Sequence, residues 1–341
     1  MGCISSKETS EEPAKPQVFS WDRDDRPDPK DYTIADQEGV VCGRKPGTVN
    51  GQQFIIENCK NSSIYIYDHS AMVTIDKCED CVIFLGPIKG SVFLRNCKNL
   101  KCAIACQQFR SRDCQKIETF LYCQTQPIIE SSTGMKFSCF QYYYPELAGQ
   151  FQSSGLSVYN NTWSTIHDFT PVEQSDNWSL IPDNVTLESI VPRPETDDFS
   201  GIDVKFDTQS SVVPLTRQKR ASAYDETCLM VFFHKHKSRC KEFLLKLSNA
   251  TKYVIVQTKE IKLGAEDAER IFKQDRYNEL AGEGSVVGLE LCGPSIVFKC
   301  EEVLKEELQI PLAEVFVSYD AAAGKADVTA FYNYIDMMMV T

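Results

Sequence analysis

Nothing in the sequence approaches the roughly 20 consecutive apolar residues that span a bilayer, and no apolar stretch follows its start. Those absences argue against a membrane-spanning helix and a secretory signal, so the expectation is a chain kept in the cytosol unless something else attaches it. Positive charge is short as well. The 36 Lys and Arg stand against 48 Asp and Glu, a net charge of −12. That weighs against nucleic acid as a partner, since neutralising phosphates needs a basic face. Histidine is scarce, limited to His69, His167, His234 and His236. Cysteine, by contrast, is plentiful at 15 residues. Without a signal peptide these should stay reduced, as small buried hydrophobes. The five Asn-X-Ser/Thr sequons, at Asn61, Asn160, Asn177, Asn184 and Asn249, are then accidental. At 341 residues the chain can bury a core in each of two domains.

The first six residues, Met1-Gly2-Cys3-Ile4-Ser5-Ser6, match the N-myristoylation pattern on Gly2. Cys3 stands where a palmitate would go. One myristoyl chain holds a membrane only marginally, on the order of 10⁴ M⁻¹, so stable anchoring needs the second lipid that Cys3 can carry. Residues 7 to about 32 are rich in Lys, Glu, Asp and Pro and read as a solvated tether.

From Val49 the chain becomes self-similar. Ile56-Glu57-Asn58-Cys59, Ile75-Asp76-Lys77-Cys78 and Leu94-Arg95-Asn96-Cys97 share one pattern, and Asp113-Cys114 continues it, at cysteine spacings of 19, 19 and 17. Between the cysteines lie short alternating stretches such as Ile64-Tyr65-Ile66-Tyr67 and Val82-Ile83-Phe84-Leu85. A period near 20 built of short strands predicts a parallel β-helix in which each coil covers its neighbour's apolar face. Cys59, Cys78, Cys97 and Cys114 should stack at one interior position. Cys78 and Cys81 form a CxxC, but the register of the ladder already accounts for them, so buried thiols are expected rather than metal ligands.

The fourth coil breaks the pattern. It reads Cys106-Gln107-Gln108-Phe109-Arg110-Ser111-Arg112-Asp113-Cys114, with Ser111 where earlier coils carry Ile or Leu. Strand alternation puts Gln108, Arg110 and Arg112 on one face and Phe109 on the other. Such a row suits an oxyanion, because Arg is always charged and forks bidentately onto phosphate. It would equally serve as a solvated face paired with Glu118 or Glu130.

Gly43-Arg44-Lys45-Pro46-Gly47, Gly51-Gln52-Gln53-Phe54, the repeated Asn-Cys and Asp-Cys pairs and Gln107-Gln108-Phe109-Arg110 together resemble the tubulin-binding cofactor C domain family. With the lipidation start, Gln126-Pro127-Ile128-Ile129-Glu130, Tyr144-Pro145-Glu146-Leu147-Ala148, Asn160-Asn161-Thr162-Trp163 and Ile166-His167-Asp168-Phe169-Thr170-Pro171, the resemblance extends over nearly all of residues 1–341. It implies a right-handed parallel β-helix that acts as a GTPase activator on an Arf-like small GTPase in its GTP state. Arg110 matches the family's functional arginine and would serve as an arginine finger, worth about 10³–10⁵ in rate. The chain would need no cofactor of its own, because GTP and Mg²⁺ come with the GTPase. Partner contacts are expected from Gln107, Gln108, Arg112, Glu130 and Phe169. Glu130 is alternatively a salt-bridge partner that holds Arg110, and Phe169 a core plug. The resemblance further implies delivery of lipidated cargo, at the plasma membrane and at the cilium or basal body, and leaves room for a tubulin-related partner.

Residues 190–225 read as a linker, with Pro192, Pro194, scattered Asp and Ser, and the short basic run Arg217-Gln218-Lys219-Arg220. Beyond it the period changes. Strands are expected at 228–233, 253–257, 285–291 and 314–317. Helices are expected from the stripe Cys240, Phe243, Leu244, Leu247, over 266–272, and from Ile296, Cys300, Val303, Leu304. This alternation predicts a ferredoxin-like α+β domain over 226–341. The family resemblance makes it similar to nucleoside diphosphate kinases, which need a phosphate-accepting histidine after the final strand. No histidine lies beyond Ser238, so a kinase-like shell without that activity is expected, with His234 and His236 on a solvated loop. The rival to GTPase activation is a membrane scaffold that binds the GTP state without accelerating hydrolysis.

Overall fold

The computed structural model describes residues 28–172, 176–217, 226–248 and 252–340, the last six by backbone alone. Gly2, Cys3 and most of the tether lie outside the described residues, as do Gln218, Lys219 and Arg220 of the basic run.

From Thr33 short strands alternate with sharp corners, and each strand pairs in parallel with the one a coil further on. One ladder runs through Thr33–Ala35, Phe54–Glu57, Val73–Asp76, the ends of Val82–Arg95 and Lys98–Arg112, then Ile128–Glu130 and His167–Asp168. The other runs through Val41–Arg44, Ser63–Ile66, the beginnings of Val82–Arg95 and Lys98–Arg112, then Gln115–Cys123, Met135–Cys139 and Trp178–Leu180. This is the parallel β-helix that the 19-residue period predicts.

The corners explain the repeat. The residue before each ladder cysteine is left-handed: Asn58, Lys77, Asn96 and Asp113 have φ of 54°, 51°, 52° and 54°. A second left-handed residue follows three positions on, at Asn61, Asp80, Asn99 and Lys116. Asn and Asp tolerate that conformation best among non-glycine residues, which is why they dominate these positions. The cysteine between them turns inward. Its thiol donates to the carbonyl two residues back, at 3.3 Å for Cys59, 3.5 Å for Cys78, 3.1 Å for Cys97 and 3.3 Å for Cys114. Burial pushes the Cys59 and Cys81 thiols up to about 11, so both stay protonated. Every described cysteine is a free thiol.

The second ladder is apolar on both sides. Ile64, Tyr65, Ile66 and Tyr67 are all buried, although alternation predicts one wet face. Residues 140–172 and 176–217 fold back over the outside of the coils and cover it. Tyr65 Oη donates to Pro192 O at 2.8 Å, the hydroxyls of Tyr67 and Tyr142 lie 3.0 Å apart, and the rings of Phe84 and Tyr142 stack with centroids 4.2 Å apart. The part of the expected linker that is described is therefore a strap. Val191, Phe199, Val204 and Val213 are buried against the solenoid, too irregularly spaced to give a periodic signal.

The C-terminal domain carries a four-stranded antiparallel sheet. Its order is Val254–Lys262, Ser285–Cys292, Thr227–Phe232, Val315–Val317, the 2-3-1-4 arrangement of a ferredoxin-like fold. Cys240–Ser248 and Ile296–Glu302 cover one face, where Phe243, Leu244, Leu247, Cys300, Val303 and Leu304 meet Cys228, Met230 and Phe232. The other face is covered too, by Ala265–Phe272, Arg276–Gly282 and the terminal helix Ala321–Val340, packed on Leu229 and Val231. That explains why every residue of Thr227–Phe232 is buried. Gly324 lets the terminal helix approach this strand, since a Cβ there would stand 1.8 Å from Thr227 O.

Candidate functional site

The first ladder aligns its outward side chains in rows. One row is Thr33, Ile55, Thr74, Phe93, Arg110, Ile128 and His167; the next is Ala35, Glu57, Asp76, Arg95, Arg112 and Glu130. Ile34, Ile56, Ile75, Leu94, Ser111 and Ile129 face inward between them and are all buried. Arg110 thus sits along this otherwise uncharged row between two apolar neighbours, Phe93 and Ile128. Phe109 beside it is fully buried, edge-on to Phe137 at 5.8 Å between centroids. The serine that breaks the sequence pattern is interior: Ser111 Oγ lies 3.4 Å from Ser132 Oγ.

Arg110 is exposed, and among the described residues its guanidinium makes no hydrogen bond or ion pair. It lines a shallow depression of ≈ 410 Å³ with Phe93, Arg95, Arg112, Glu130 and Phe169. Arg112 lies 3.3 Å from Asp113 and 4.0 Å from Glu130, exposed pairs that contribute little to stability. Register places Glu130 beside Arg112, so Glu130 does not hold Arg110. Glu118, the other acid considered for the arginine row, takes Lys136 at 2.9 Å instead. Gln108 Oε1 accepts from Ser91 Oγ at 2.9 Å. The Gln107 side chain is exposed, while its carbonyl accepts from Thr125 N and Oγ1, both at 3.0 Å.

Phe169 is 59% exposed, which rules out the core-plug alternative. Its N–H donates to Ile129 O at 3.0 Å, and its ring meets His167 edge-on at 4.5 Å, which fixes it on the rim of the depression. Sequence reasoning missed Phe93 and Arg95. They sit one coil before Arg110 and Arg112, and the 17-residue spacing of the ladder would have found them. The Arg95 guanidinium lies over the Phe93 ring at 5.2 Å. Chemically this face offers an uncommitted planar cation on a stiff sheet, rimmed by apolar contacts and two further arginines. A bare fork of five donors fits an oxyanion supplied from outside.

His234–Arg239 form a 3₁₀ turn rather than a loose loop. His236 Nε2 lies 2.5 Å from Glu314 Oε2, and Lys235 Nζ lies 2.6 Å from Glu314 Oε1. Lys235 first, then His236, holds the Glu314 carboxyl below its usual range. Among the described residues no group of three or more His, Cys, Asp or Glu is placed to hold a metal ion.

The chain is similar to known proteins over its whole length. Residues 51–169 match the family described as "Tubulin binding cofactor C". The chain is 48% identical over 357 residues to Protein XRP2 of Gallus gallus, covering 99% of each chain. It is 45% identical over 358 residues to Protein XRP2 of Homo sapiens, again covering 99% of each. It is also 28% identical over 149 residues to Tubulin-specific chaperone C of Homo sapiens, covering 43% of each.

Proposed function

The chain belongs to the family of Protein XRP2 and carries its cofactor C-type domain, and from that premise we propose that it is a GTPase-activating protein for an Arf-like small GTPase. Arg110 enters the partner's nucleotide site and neutralises the charge that develops on the transferring phosphoryl group. Among the described residues Arg110 has no internal partner to leave, and this observation carries the reading. Its strand is paired on both sides, with Phe93 and with Ile128, so the guanidinium is presented by a scaffold that need not reorganise.

The surrounding residues divide the remaining work. Phe93, Ile128 and Phe169 give the partner apolar contact, and Gln107 and Gln108 reach its backbone near the phosphates. Arg112 and Arg95 meet its carboxylates, with Glu130 opposite its basic groups. GTP and Mg²⁺ arrive with the GTPase. Myristoyl on Gly2 and palmitoyl on Cys3 hold the activator at the plasma membrane and the cilium, where ending the GTPase signal delivers lipidated cargo. The C-terminal domain acts as a platform rather than a phosphotransferase, for lack of a late histidine.

The test is single-turnover GTP hydrolysis by a purified Arf-like GTPase, alone, with this protein, and with its Arg110→Ala form. The reading expects an acceleration of about 10³–10⁵ that Arg110→Ala abolishes while most binding survives. Binding of the GTP state with no acceleration by the wild type would replace it with the scaffold reading.

A further inference from the structure

Where the two domains meet, a cleft opens between the strap, the turn around Val158 and the helix Cys240–Ser248. One lobe, of ≈ 290 Å³, is walled mainly by Val158, Val212, Leu215, Leu244 and Tyr253. A second lobe of ≈ 370 Å³ lies next to it, beside Phe151 and Leu156. Val158, Val212 and Lys241 line both lobes. The volumes lie near the small end of the roughly 300–1,000 Å³ found for ligand clefts.

Lys241 is the feature that needs an explanation. It is half-buried, and among the described residues it makes no hydrogen bond or ion pair. Burial lowers the pKa of its ammonium, and the field of Asp207 only partly opposes that. Asp207 is itself engaged by Ser210 N at 2.8 Å. The other cations of the cleft are committed. Lys237 holds Glu260 at 2.8 Å and Ser285 at 2.9 Å, and Arg217 holds Asp183 at 2.9 Å. Two serine hydroxyls of the wall are used within the chain: Ser211 Oγ donates to Val213 O at 3.0 Å and Ser248 Oγ to Leu245 O at 3.1 Å. None of the unpartnered buried side-chain atoms of the described residues lies in the cleft. Val158, Val212, Val213, Leu215 and Leu244 give the first lobe a mostly aliphatic wall against which an alkyl chain loses little, and the unpaired ammonium of Lys241 suits an anionic head.

We propose that this interdomain cleft binds a straight-chain fatty-acid anion, with the alkyl chain between Val158, Val212 and Leu244 and the carboxylate on Lys241.

Isothermal titration of the full chain with octanoate, decanoate and laurate, each below its critical micelle concentration, tests this. Saturable one-to-one binding is expected, with affinity rising about fourfold per added methylene until the lobe is full. Lys241→Met keeps the aliphatic stem and removes the charge, and should weaken laurate by about tenfold or more at unchanged melting temperature. Dodecyltrimethylammonium, with the same tail and opposite charge, should not bind, and Val212→Trp should block laurate by filling the lobe. Absence of saturable binding by the wild type would overturn the proposal. So would equal laurate affinity in Lys241→Met, or equal binding of the cationic amphiphile. Should Val212→Trp fail to fold, the chain-length series and Lys241→Met still decide.

Discussion

The solenoid and the C-terminal domain place their side chains by different rules. In the solenoid a residue's position follows from its register, because each coil repeats the last and only neighbours touch. A functional group there shows itself as a departure from the repeat, as Arg110 does in a row otherwise filled by Ile55, Thr74, Phe93 and Ile128. In the C-terminal domain no row repeats. The sheet is sandwiched between helices, and beside it Lys235 and His236 are both engaged by Glu314. The two also meet differently than a simple tether implies. Asn160 bonds the main chain of the edge-strand residue Glu260 twice, accepting from its N–H at 2.7 Å and donating to its carbonyl at 3.1 Å. Thr258 Oγ1 donates to Tyr159 O at 2.7 Å beside it.

That contrast can be broken at graded cost. Phe109→Ala should have the largest effect on stability, about 3–5 kcal/mol, because the ring is wholly buried against Phe137 and neighbouring coils cannot close the gap. Urea unfolding should show it in the solenoid transition. Asn160→Ala comes next, at about 1–3 kcal/mol, since it orphans two main-chain groups of the edge strand. Calorimetry should then resolve two transitions where the wild type shows more cooperative melting.

Acid should loosen the same junction. Burial raises the Glu260 carboxyl, but Lys237, Ser157 and Ser285 outweigh it and bring the pKa below its ordinary value. A depressed folded pKa stabilises the folded form above the unfolded value of about 4.3, and that contribution is lost as pH falls through the folded value. Melting followed from pH 7 to pH 3 should therefore decline more steeply in the wild type than in Glu260→Gln. The smallest expected effect is a gain. Lys77 occupies a left-handed corner where the neighbouring coils use Asn58 and Asn96, so Lys77→Asn should stabilise by about 0.5–1 kcal/mol, readable as a small rise in melting temperature.

The solenoid was legible because its period is written in residues with one job each: a cysteine inside, an Asn or Asp at the corner. Arg110, Arg112 and Phe109 fall on the faces that simple alternation assigns. The strap was not legible. Its anchors Val191, Phe199, Val204 and Val213 are strung among prolines and acids with no period, so local composition reads as linker while tertiary packing decides otherwise. The terminal helix escaped for a related reason: its buried side Val328, Phe331 and Tyr334 is a sparse stripe, and Gly324 near its start reads as a breaker although close approach to Thr227 requires it. Asn160 was visible as an accidental sequon and within the family string Asn160-Asn161-Thr162-Trp163, but not as a junction residue, because a bond to the backbone of another domain leaves no sequence pattern.

Two adjacent residues of one strand, Phe109 and Arg110, divide fold from function. Melting temperature and single-turnover GTP hydrolysis by an Arf-like GTPase should be measured on the same preparations of the wild type and of Arg110→Ala. The prediction is an unchanged melting temperature, within the roughly 0.5 kcal/mol expected of a surface change, together with loss of the acceleration. An Arg110→Ala protein that melts as the wild type does and still accelerates hydrolysis would contradict it.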